Sequence, residues 1–158
     1  MVVLQQFFLI LDNIRSAHNV GSIFRTAECA GVTNIILCGY TPCPIDRFGR
    51  KRSDISKIAL GAEEHVSWKY SETTEGAIRM VKDENVVVIA LEQDPHAVDY
   101  RSFMVSTKIA LIVGNEVDGI SREILGLADH IIYIPLHGVK ESLNVSVATG
   151  IALFQLAE

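Results

Sequence analysis

The sequence has few cysteines, no long apolar run and no excess of positive charge, and each absence excludes a class of protein. The cysteines Cys29, Cys38 and Cys43 are odd in number and lack CxxC spacing, which favours reduced thiols over a disulfide framework or a zinc site. No apolar run reaches the roughly 18 residues that a membrane-spanning helix needs. The apolar N-terminus lacks the basic start and cleavage site of a signal peptide. We therefore expect a cytoplasmic protein without membrane association.

Charge and composition narrow the possible class of protein further. The chain carries 19 acidic and 14 basic side chains, a net charge of −5, so a generally basic surface is excluded and nucleic acid would need a local patch. Apolar residues make up 49% and charged residues 21% of the 158 positions, which is typical of a globular protein. Without repeats or linkers, residues 1–158 are predicted to form a single domain.

Apolar segments recur at regular intervals and predict an α/β fold. Strands are predicted at Phe7–Leu11, Asn34–Cys38, Val86–Leu91, Lys108–Val113 and Asp129–Ile134. Helices are predicted at Val20–Ala30, ending at Gly31, at Glu72–Lys82 and at Ser142–Leu156. Continuous β-branched runs are typical of strands buried on both faces, so we expect a mostly parallel sheet flanked by helices.

Three segments lie at the ends of predicted strands, where open α/β sheets bind ligands. The first, residues 11–27, leads into a helix that Asn19 is positioned to cap. Arg25 lies further along that helix beside apolar neighbours. It is either an arginine extending from a helix edge or a guanidinium that grips a phosphate or ribose.

The second segment, residues 110–121, places a glycine at the end of a strand. Gly114 lets the backbone approach a ligand closely, and Gly119 permits a tight turn. Neither GxGxxG nor the GK[ST] of a phosphate loop is present, so a plain strand–turn–helix connection is the alternative. Glu116 and Asp118 have no further carboxylates clustered with them, so no metal site is expected.

The third segment runs from Ile134 to Phe154 and contains the last helix. Ser142 is positioned as its N-cap, and the helix is apolar almost all round. A terminal helix of this kind must be covered on more than one side, which predicts a homodimer built on it. Asn144 and Ser146 are polar groups within it that need partners.

A loop predicted over Thr41–Leu60 carries the densest charge of the chain. Its basic residues are Arg47, Arg50, Lys51 and Arg52. In an acidic protein this run is the expected electrostatic contact for an RNA backbone. The alternative is a solvated surface loop, partly neutralised by Asp46 and Asp54.

Together, the three segments resemble the three motifs of the SpoU (TrmH) family of RNA 2′-O-ribose methyltransferases, in the SPOUT superfamily. The first match is Asn19-x-Gly21-x-x-x-Arg25-Thr26-Ala27, and the second is Val113-Gly114-Asn115-Glu116-x-x-Gly119. The third is Ile134-Pro135-Leu136-x-Gly138 followed by Ser142-Leu143-Asn144-Val145-Ser146-Val147-Ala148. The match extends from about Phe8 to the C-terminus.

The resemblance implies a C-terminal deep trefoil knot and a homodimer through the last helix. It also implies methyl transfer from S-adenosylmethionine to a ribose 2′-hydroxyl of tRNA or rRNA, without a metal. Many members of the family carry an additional RNA-recognition domain, so this chain is either a minimal enzyme or the catalytic part of a longer one. A non-catalytic RNA-binding or S-adenosylmethionine-binding module of the same fold is the alternative. A Rossmann-like regulator is disfavoured by the missing GxGxxG.

The resemblance also implies roles for particular residues. Those assigned to the methyl-donor pocket are Leu91, Gly114, Ile134, Leu136, Gly138 and Leu143. Those assigned to catalysis are Asn19, Arg25, Glu116, Ser142 and Asn144. Arg25 is also expected to contact RNA, together with Arg47, Arg50, Lys51 and Arg52, whose RNA role rests on the charge of their loop. Because the pKa of arginine exceeds about 12, Arg25 is expected to hold an RNA phosphate and stabilise the developing oxyanion. The proton acceptor is left open among Glu116, Ser142 and water.

Overall fold

A computed structural model describes residues 4–158. The strands are β1 (Gln6–Asp12), β2 (Asn34–Cys38), β3 (Ser67–Ser71), β4 (Val87–Leu91), β5 (Val98–Asp99), β6 (Lys108–Gly114) and β7 (His130–Tyr133). The helices are α1 (Ala17–Ala30), α2 (Ser53–Ala59), α3 (Ala62–His65), α4 (Thr74–Asp83), α5 (Arg122–Leu127) and α6 (Val145–Leu156), with a 3₁₀ turn at Tyr100–Ser102. Every strand and helix predicted from the sequence is present, with shifts at the ends.

The strands form one sheet in the order β3-β2-β1-β6-β4-β7-β5. All neighbouring pairs are parallel, which confirms the predicted parallel sheet flanked by helices. The chain runs outward from β1 through β2 to β3 and then returns to build the other half. The order therefore reverses between β1 and β6, and the carboxyl ends at such a point are where α/β sheets place ligands.

The sheet is buried on both faces because the central strands carry uninterrupted apolar runs, residues 7–11 in β1 and 109–113 in β6. Phe7, Leu9 and Leu11 of β1 pack with α1, α2 and α6, whereas Phe8 and Ile10 face the opposite layer, which contains α4 and α5. Successive side chains of a strand point to opposite faces, so an uninterrupted apolar run fills both layers.

Helix α1 begins one turn before the predicted position. Ser16 is its N-cap and accepts the backbone N–H of Asn19 at 3.1 Å. Asn19 lies in the first turn, so the prediction that Asn19 caps the helix is wrong, and its side chain is available for other partners. Gly31 ends the helix in the left-handed conformation at φ 82°, as predicted.

The segment Thr41–Leu60, predicted as loop, contains helix α2 at its end. Ile55 and Ala59, spaced by four residues, are fully buried against the α1 layer. This short apolar pair was the signal for a helix. All three cysteines in residues 4–158 are free thiols, and burial raises the pKa of Cys38 to about 12.

No helix within residues 4–158 has the length and apolar character needed to cross a bilayer. The expected trefoil knot is a property of the chain path rather than of the sheet order, and it stays a prediction.

Candidate active site

A cavity of about 630 Å³ opens at the carboxyl ends of β4, β6 and β7. Its wall is formed by the ends of these strands, the turn after β6 and the segment that leads into α6. The predicted site residues that line it are Leu91, Gly114, Glu116, Ile134, Leu136, Ser142, Leu143 and Asn144. The fold therefore brings together residues of the second and third motifs that are far apart in the chain.

Three predicted site residues, together with the basic loop, lie outside this cavity wall. Gly138 is exposed in the loop after β7, and Asn19 is buried beside the cavity in α1. Arg25 is exposed on α1, and its side chain makes no hydrogen bond or ion pair with any of residues 4–158. Its neighbour Thr26 packs on α6, where a Cβ added at Gly150 would lie 3.2 Å from the Thr26 methyl group. Arg25 therefore lies on a helix that packs against α6, and its guanidinium is unpaired within residues 4–158.

Glu116 is the centre of the polar network at the cavity. Its carboxylate accepts the backbone N–H groups of Arg15 at 3.0 Å and Ser16 at 3.1 Å. It also accepts the side-chain amide of Asn19 at 3.1 Å. One carboxylate from the second motif thus holds the entire entry of helix α1, which carries the first motif.

Hydrogen bonding determines the charge state of Glu116. Burial by itself would raise its pKa, but the donors from Arg15, Asn19 and Ser16 outweigh burial and lower the pKa below its ordinary value of 4.5. Glu116 is therefore an ionised acceptor at neutral pH. A carboxylate stabilised in this way is a weak proton acceptor.

Asn144 connects the third motif to this network. Its amide donates to the side-chain oxygen of Asn19 at 3.3 Å. Its own side-chain oxygen accepts the backbone N–H groups of Ser146 at 2.9 Å and Val147 at 3.4 Å. Asn144, and not Ser142 as predicted, is therefore the N-cap of α6. Its side-chain amide therefore binds helix α1, and its side-chain oxygen caps helix α6.

Ser142 lies two residues before that cap. It is exposed and lines the cavity, and its hydroxyl makes no hydrogen bond with any of residues 4–158. The hydroxyl is therefore available to a ligand, whereas the Asn144 side chain is engaged in the fold.

The turn after β6 is held by Asn115, a motif residue to which the sequence analysis gave no role, and by Glu92, which it did not single out. The side-chain oxygen of Asn115 accepts the N–H groups of Val117 and Asp118 at 2.8 and 2.9 Å. Glu92, directly after β4, accepts the N–H of Ile120 at 2.9 Å. The position of Glu92 at the end of a buried strand was the available signal, since the same rule selected the three motif segments.

Gly114 is required by this turn. A Cβ there would lie 2.6 Å from both the carbonyl carbon of Gly119 and the Cγ1 of Ile120. Side-chain atoms are not tolerated at such distances from backbone, so any larger residue must displace the turn that carries Glu116. The close approach predicted for Gly114 is thus between two segments of this chain.

The basic loop is largely neutralised by its own acidic residues. Arg50 pairs with Asp46 at 3.2 Å, and Arg52 pairs with Asp54 at 2.6 Å. Lys51 pairs with Glu64 at 2.7 Å and lies 3.7 Å from the buried carboxylate of Glu63. Arg47 has no carboxylate partner among residues 4–158. The RNA role of the four cations stays a prediction.

Helix α6 presents one uncovered apolar face. The exposed fractions are 51% for Val147, 36% for Ile151 and 50% for Phe154, and Leu143, one turn earlier, is 40% exposed. The opposite face, with Ala152, Leu153 and Leu156, is buried against the sheet layer. The predicted all-round apolar character is confirmed, and within one copy of the chain only half of it is covered.

With the geometry in place, comparison with known proteins identifies the family. Residues 6–154 match the SpoU rRNA Methylase family. The 23S rRNA (guanosine-2′-O-)-methyltransferase RlmB of Escherichia coli (strain K12) is 36% identical over 151 residues, which cover 96% of this chain and 59% of that protein. The chain belongs to the SpoU rRNA methylase family, and it spans less than two thirds of the length of this curated relative.

Solved structures agree with this assignment. The AdoMet-bound rRNA methyltransferase from Sinorhizobium meliloti superposes with a TM-score of 0.85 at 32% identity, over 98% of this chain and 57% of that one. The A. aeolicus TrmH/SpoU tRNA modifying enzyme superposes with a TM-score of 0.84 at 27% identity, over 99% of this chain and 76% of that one. The predicted SPOUT-like fold is confirmed.

Proposed function

We propose that this chain is a catalytic domain that transfers a methyl group from S-adenosylmethionine to a ribose 2′-hydroxyl of RNA. The observation that carries the proposal is the cavity whose wall is built from two family motifs and joined to the third by the Glu116–Asn19–Asn144 hydrogen bonds. A chain that only bound RNA would not need these three loops to converge at the end of the sheet.

The cavity suits the chemistry of the donor. Its volume of about 630 Å³ lies within the range of small-molecule sites. Apolar side chains, among them Leu91, Ile134 and Leu143, offer a surface for an adenine and for the methylene groups of the donor. The carboxylates of Glu92 and Asp94 lie at the same wall for its cationic groups. When bound, S-adenosylmethionine supplies a methyl group already activated on a sulfonium, so positioning accounts for much of the rate.

The residues of the site are assigned different roles in the reaction. Glu116 is held ionised by three donors and keeps the first motif in place, so we assign it a positioning role rather than that of proton acceptor. Ser142 faces the cavity with a free hydroxyl, and we assign it contact with the ribose or the donor. The permanent charge of Arg25 stabilises the developing oxyanion and a nearby phosphate. The proton leaves to water or through Ser142.

The substrate is proposed from the relatives. The Escherichia coli relative is named as a methyltransferase of 23S rRNA guanosine and the Sinorhizobium meliloti protein as an rRNA methyltransferase, which favours ribosomal RNA over tRNA. An enzyme acting on that RNA would work in the cytoplasm. We assign residues 1–158 to a single catalytic domain with a trefoil knot, and the reaction requires no metal.

The uncovered face of α6 supports the proposed homodimer. Leu143, Val147, Ile151 and Phe154 follow one another at helical spacing, and the two-fold pairing of such a stripe would remove it from water. Phe154→Asp is expected to produce monomers because it would place an unpaired charge in a dry interface. Sedimentation at micromolar concentration measures this, with Gln155→Asp as the control on the same helix. A monomeric wild-type protein would contradict the proposed dimer.

The experiment that tests the function uses labelled S-adenosylmethionine. Its binding is measured by calorimetry, and methyl transfer is measured on total RNA followed by mapping of the modified nucleotide. Label in a 2′-O-methylated nucleotide of rRNA is the expected result, and label in tRNA would correct the substrate. Binding of both ligands without transfer would identify the non-catalytic module, and failure to bind the donor would reject the proposal.

A further inference from the structure

The tip of the loop between β2 and α2 carries an exposed aromatic ring in contact with two arginines. Phe48 is 65% exposed. The guanidinium carbons of Arg47 and Arg50 lie 4.8 and 5.0 Å from the centre of its ring. An exposed phenylalanine in this setting contributes nothing to the core, and its ring is presented outward together with two planar cations.

The tip is rigid. One side-chain oxygen of Asp46 accepts the N–H groups of both Phe48 and Arg50, at 2.8 and 2.9 Å. The backbone closes the same turn, with the Asp46 N–H donating to the Arg50 carbonyl at 2.8 Å, and Gly49 supplies the positive φ of 76° that the turn requires. Because the backbone is fixed before any ligand arrives, little conformational entropy is lost when the ring is covered.

The two arginines differ in their freedom. The Nε of Arg50 is bonded to Asp46 at 3.2 Å, so Arg50 stays against the ring. Arg47 makes no hydrogen bond or ion pair with any residue of the described chain, 4–158. Arg47 can therefore swing away from the Phe48 ring to a phosphate, which uncovers part of the ring.

The loop is attached to the cavity region. It leaves the carboxyl end of β2, at the same edge of the sheet as the cavity. The hydroxyl of Tyr40 accepts the side-chain amide of Asn115 at 2.8 Å, and the hydroxyl of Thr41 accepts the N–H of Ile14 at 3.0 Å. Asn115 lines the cavity, so the base of the loop is bonded directly to the cavity wall.

We propose that Phe48 is a stacking platform for an unpaired base of the substrate RNA, with Arg47 on the adjacent phosphate. This inference rests on the proposed function and specifies its substrate as single-stranded or looped RNA. Aromatic rings and guanidinium planes are the groups on which splayed RNA bases stack. Most of the loop's charge is already paired, so the ring and Arg47 provide the contact.

The test compares Phe48→Ala, Phe48→Leu and Phe48→Trp in the full chain. The probe is a single-stranded RNA of about 12 nucleotides containing 2-aminopurine, within the usual size of such sites. Its fluorescence reports stacking, and a duplex of the same sequence is the second probe. Met104→Ala is the control, because Met104 is 88% exposed and precedes the amino end of β6, at the opposite edge of the sheet.

Phe48→Ala is expected to weaken binding of the single strand about tenfold, the scale of losing one stacked base. Phe48→Trp should bind like wild type and quench the probe, Phe48→Leu should be as weak as the alanine variant, and Met104→Ala should have no effect. The slope of affinity against salt should stay unchanged in Phe48→Ala and fall by roughly 0.7 in Arg47→Ala. Duplex binding and S-adenosylmethionine binding should not change.

Wild-type affinity in Phe48→Ala, rescue by leucine, or an equal loss on the duplex would each overturn the stacking role. Rescue by leucine in particular would indicate a general apolar contact, such as a protein partner would make. The proposed function is tested separately. If the wild type bound RNA through Phe48 but transferred no methyl group, the function would fail and the stacking site would stand. If the wild type bound no RNA, both would fail.

Discussion

The cavity and the basic loop are both rich in polar residues, but their bonding differs. In the cavity, hydrogen bonds join residues that are about a hundred positions apart, such as Glu116 to Asn19 and Asn144 to Asn19. In the loop, Arg50 pairs with Asp46 and Arg52 with Asp54, four and two positions away. The cavity network therefore exists only in the folded chain, whereas most of the loop's charge is neutralised by its sequence neighbours.

This difference changes how each region is interpreted. A run of cations in a sequence predicts a positive surface only if the adjacent acidic residues point elsewhere, and here they do not. Scattered polar residues predict little until the fold assembles them. The structure therefore makes the loop's net charge weaker evidence for RNA binding. It makes the Glu116 network stronger evidence for a functional site.

The largest effect is expected from Gly114→Val, which breaks the cavity without touching the loop. The new side chain would collide with Gly119 and Ile120 and displace the turn that carries Glu116. We expect S-adenosylmethionine affinity to fall at least about a hundredfold, together with a lower melting temperature, as overpacking costs typically 1–3 kcal/mol. Gly126→Ala is the control, because a Cβ at Gly126 meets no atom within 4 Å. Unchanged donor affinity would remove Gly114 from the site.

Arg25→Ala is expected to reduce the methylation rate at saturating RNA about a hundredfold, the scale of losing one transition-state donor. RNA affinity should fall only modestly. The paired loop variant Arg50→Ala with Arg52→Ala should instead leave the saturated rate nearly unchanged. Single-turnover methylation measures both. A full rate in Arg25→Ala would contradict its catalytic assignment.

Within the loop, replacing the unpaired Arg47 and replacing the paired Arg52 should affect the salt dependence of RNA binding differently. Arg47→Ala removes a cation without a carboxylate partner and should lower the salt slope of RNA binding by roughly 0.7, one phosphate contact. The guanidinium of Arg52 is bonded to Asp54 through two nitrogens, at 3.1 and 2.6 Å, so Arg52→Ala should change the slope less. Affinity measured across a salt series decides this, and equal slopes would mean that the ion pair opens for RNA.

The smallest effect is expected for Glu116→Gln, and it is a change in the free energy of unfolding. Because hydrogen bonds lower the pKa of Glu116 in the folded state, its carboxylate stabilises the fold above the ordinary value of 4.5, and this contribution is lost as the pH falls through the folded pKa. The variant should be about 1 kcal/mol less stable at pH 7 and equal to wild type in acid. Urea unfolding at both pH values measures this. A difference that persisted in acid would reject the ionic explanation.

Hydrophobic periodicity predicted the central strands and α1 because burial on both faces leaves a continuous apolar run. It did not predict α2, whose inward face consists of little more than Ile55 and Ala59, or β3, whose residues are mostly exposed at the edge of the sheet. The two cap predictions, Asn19 and Ser142, were wrong for one reason. Several residues near each helix start can cap it, and the backbone path selects Ser16 and Asn144.

The amino-acid order was sufficient for the family motifs, the parallel sheet and the apolar character of α6, since each depends on local composition and spacing. Tertiary structure alone decided that Glu116 binds the entry of α1, that Asn144 serves two elements and that Glu92 and Tyr40 support the cavity wall. These contacts join segments that are far apart in the sequence and meet only when parallel strands align their carboxyl ends. Local sequence patterns therefore do not predict the contacts.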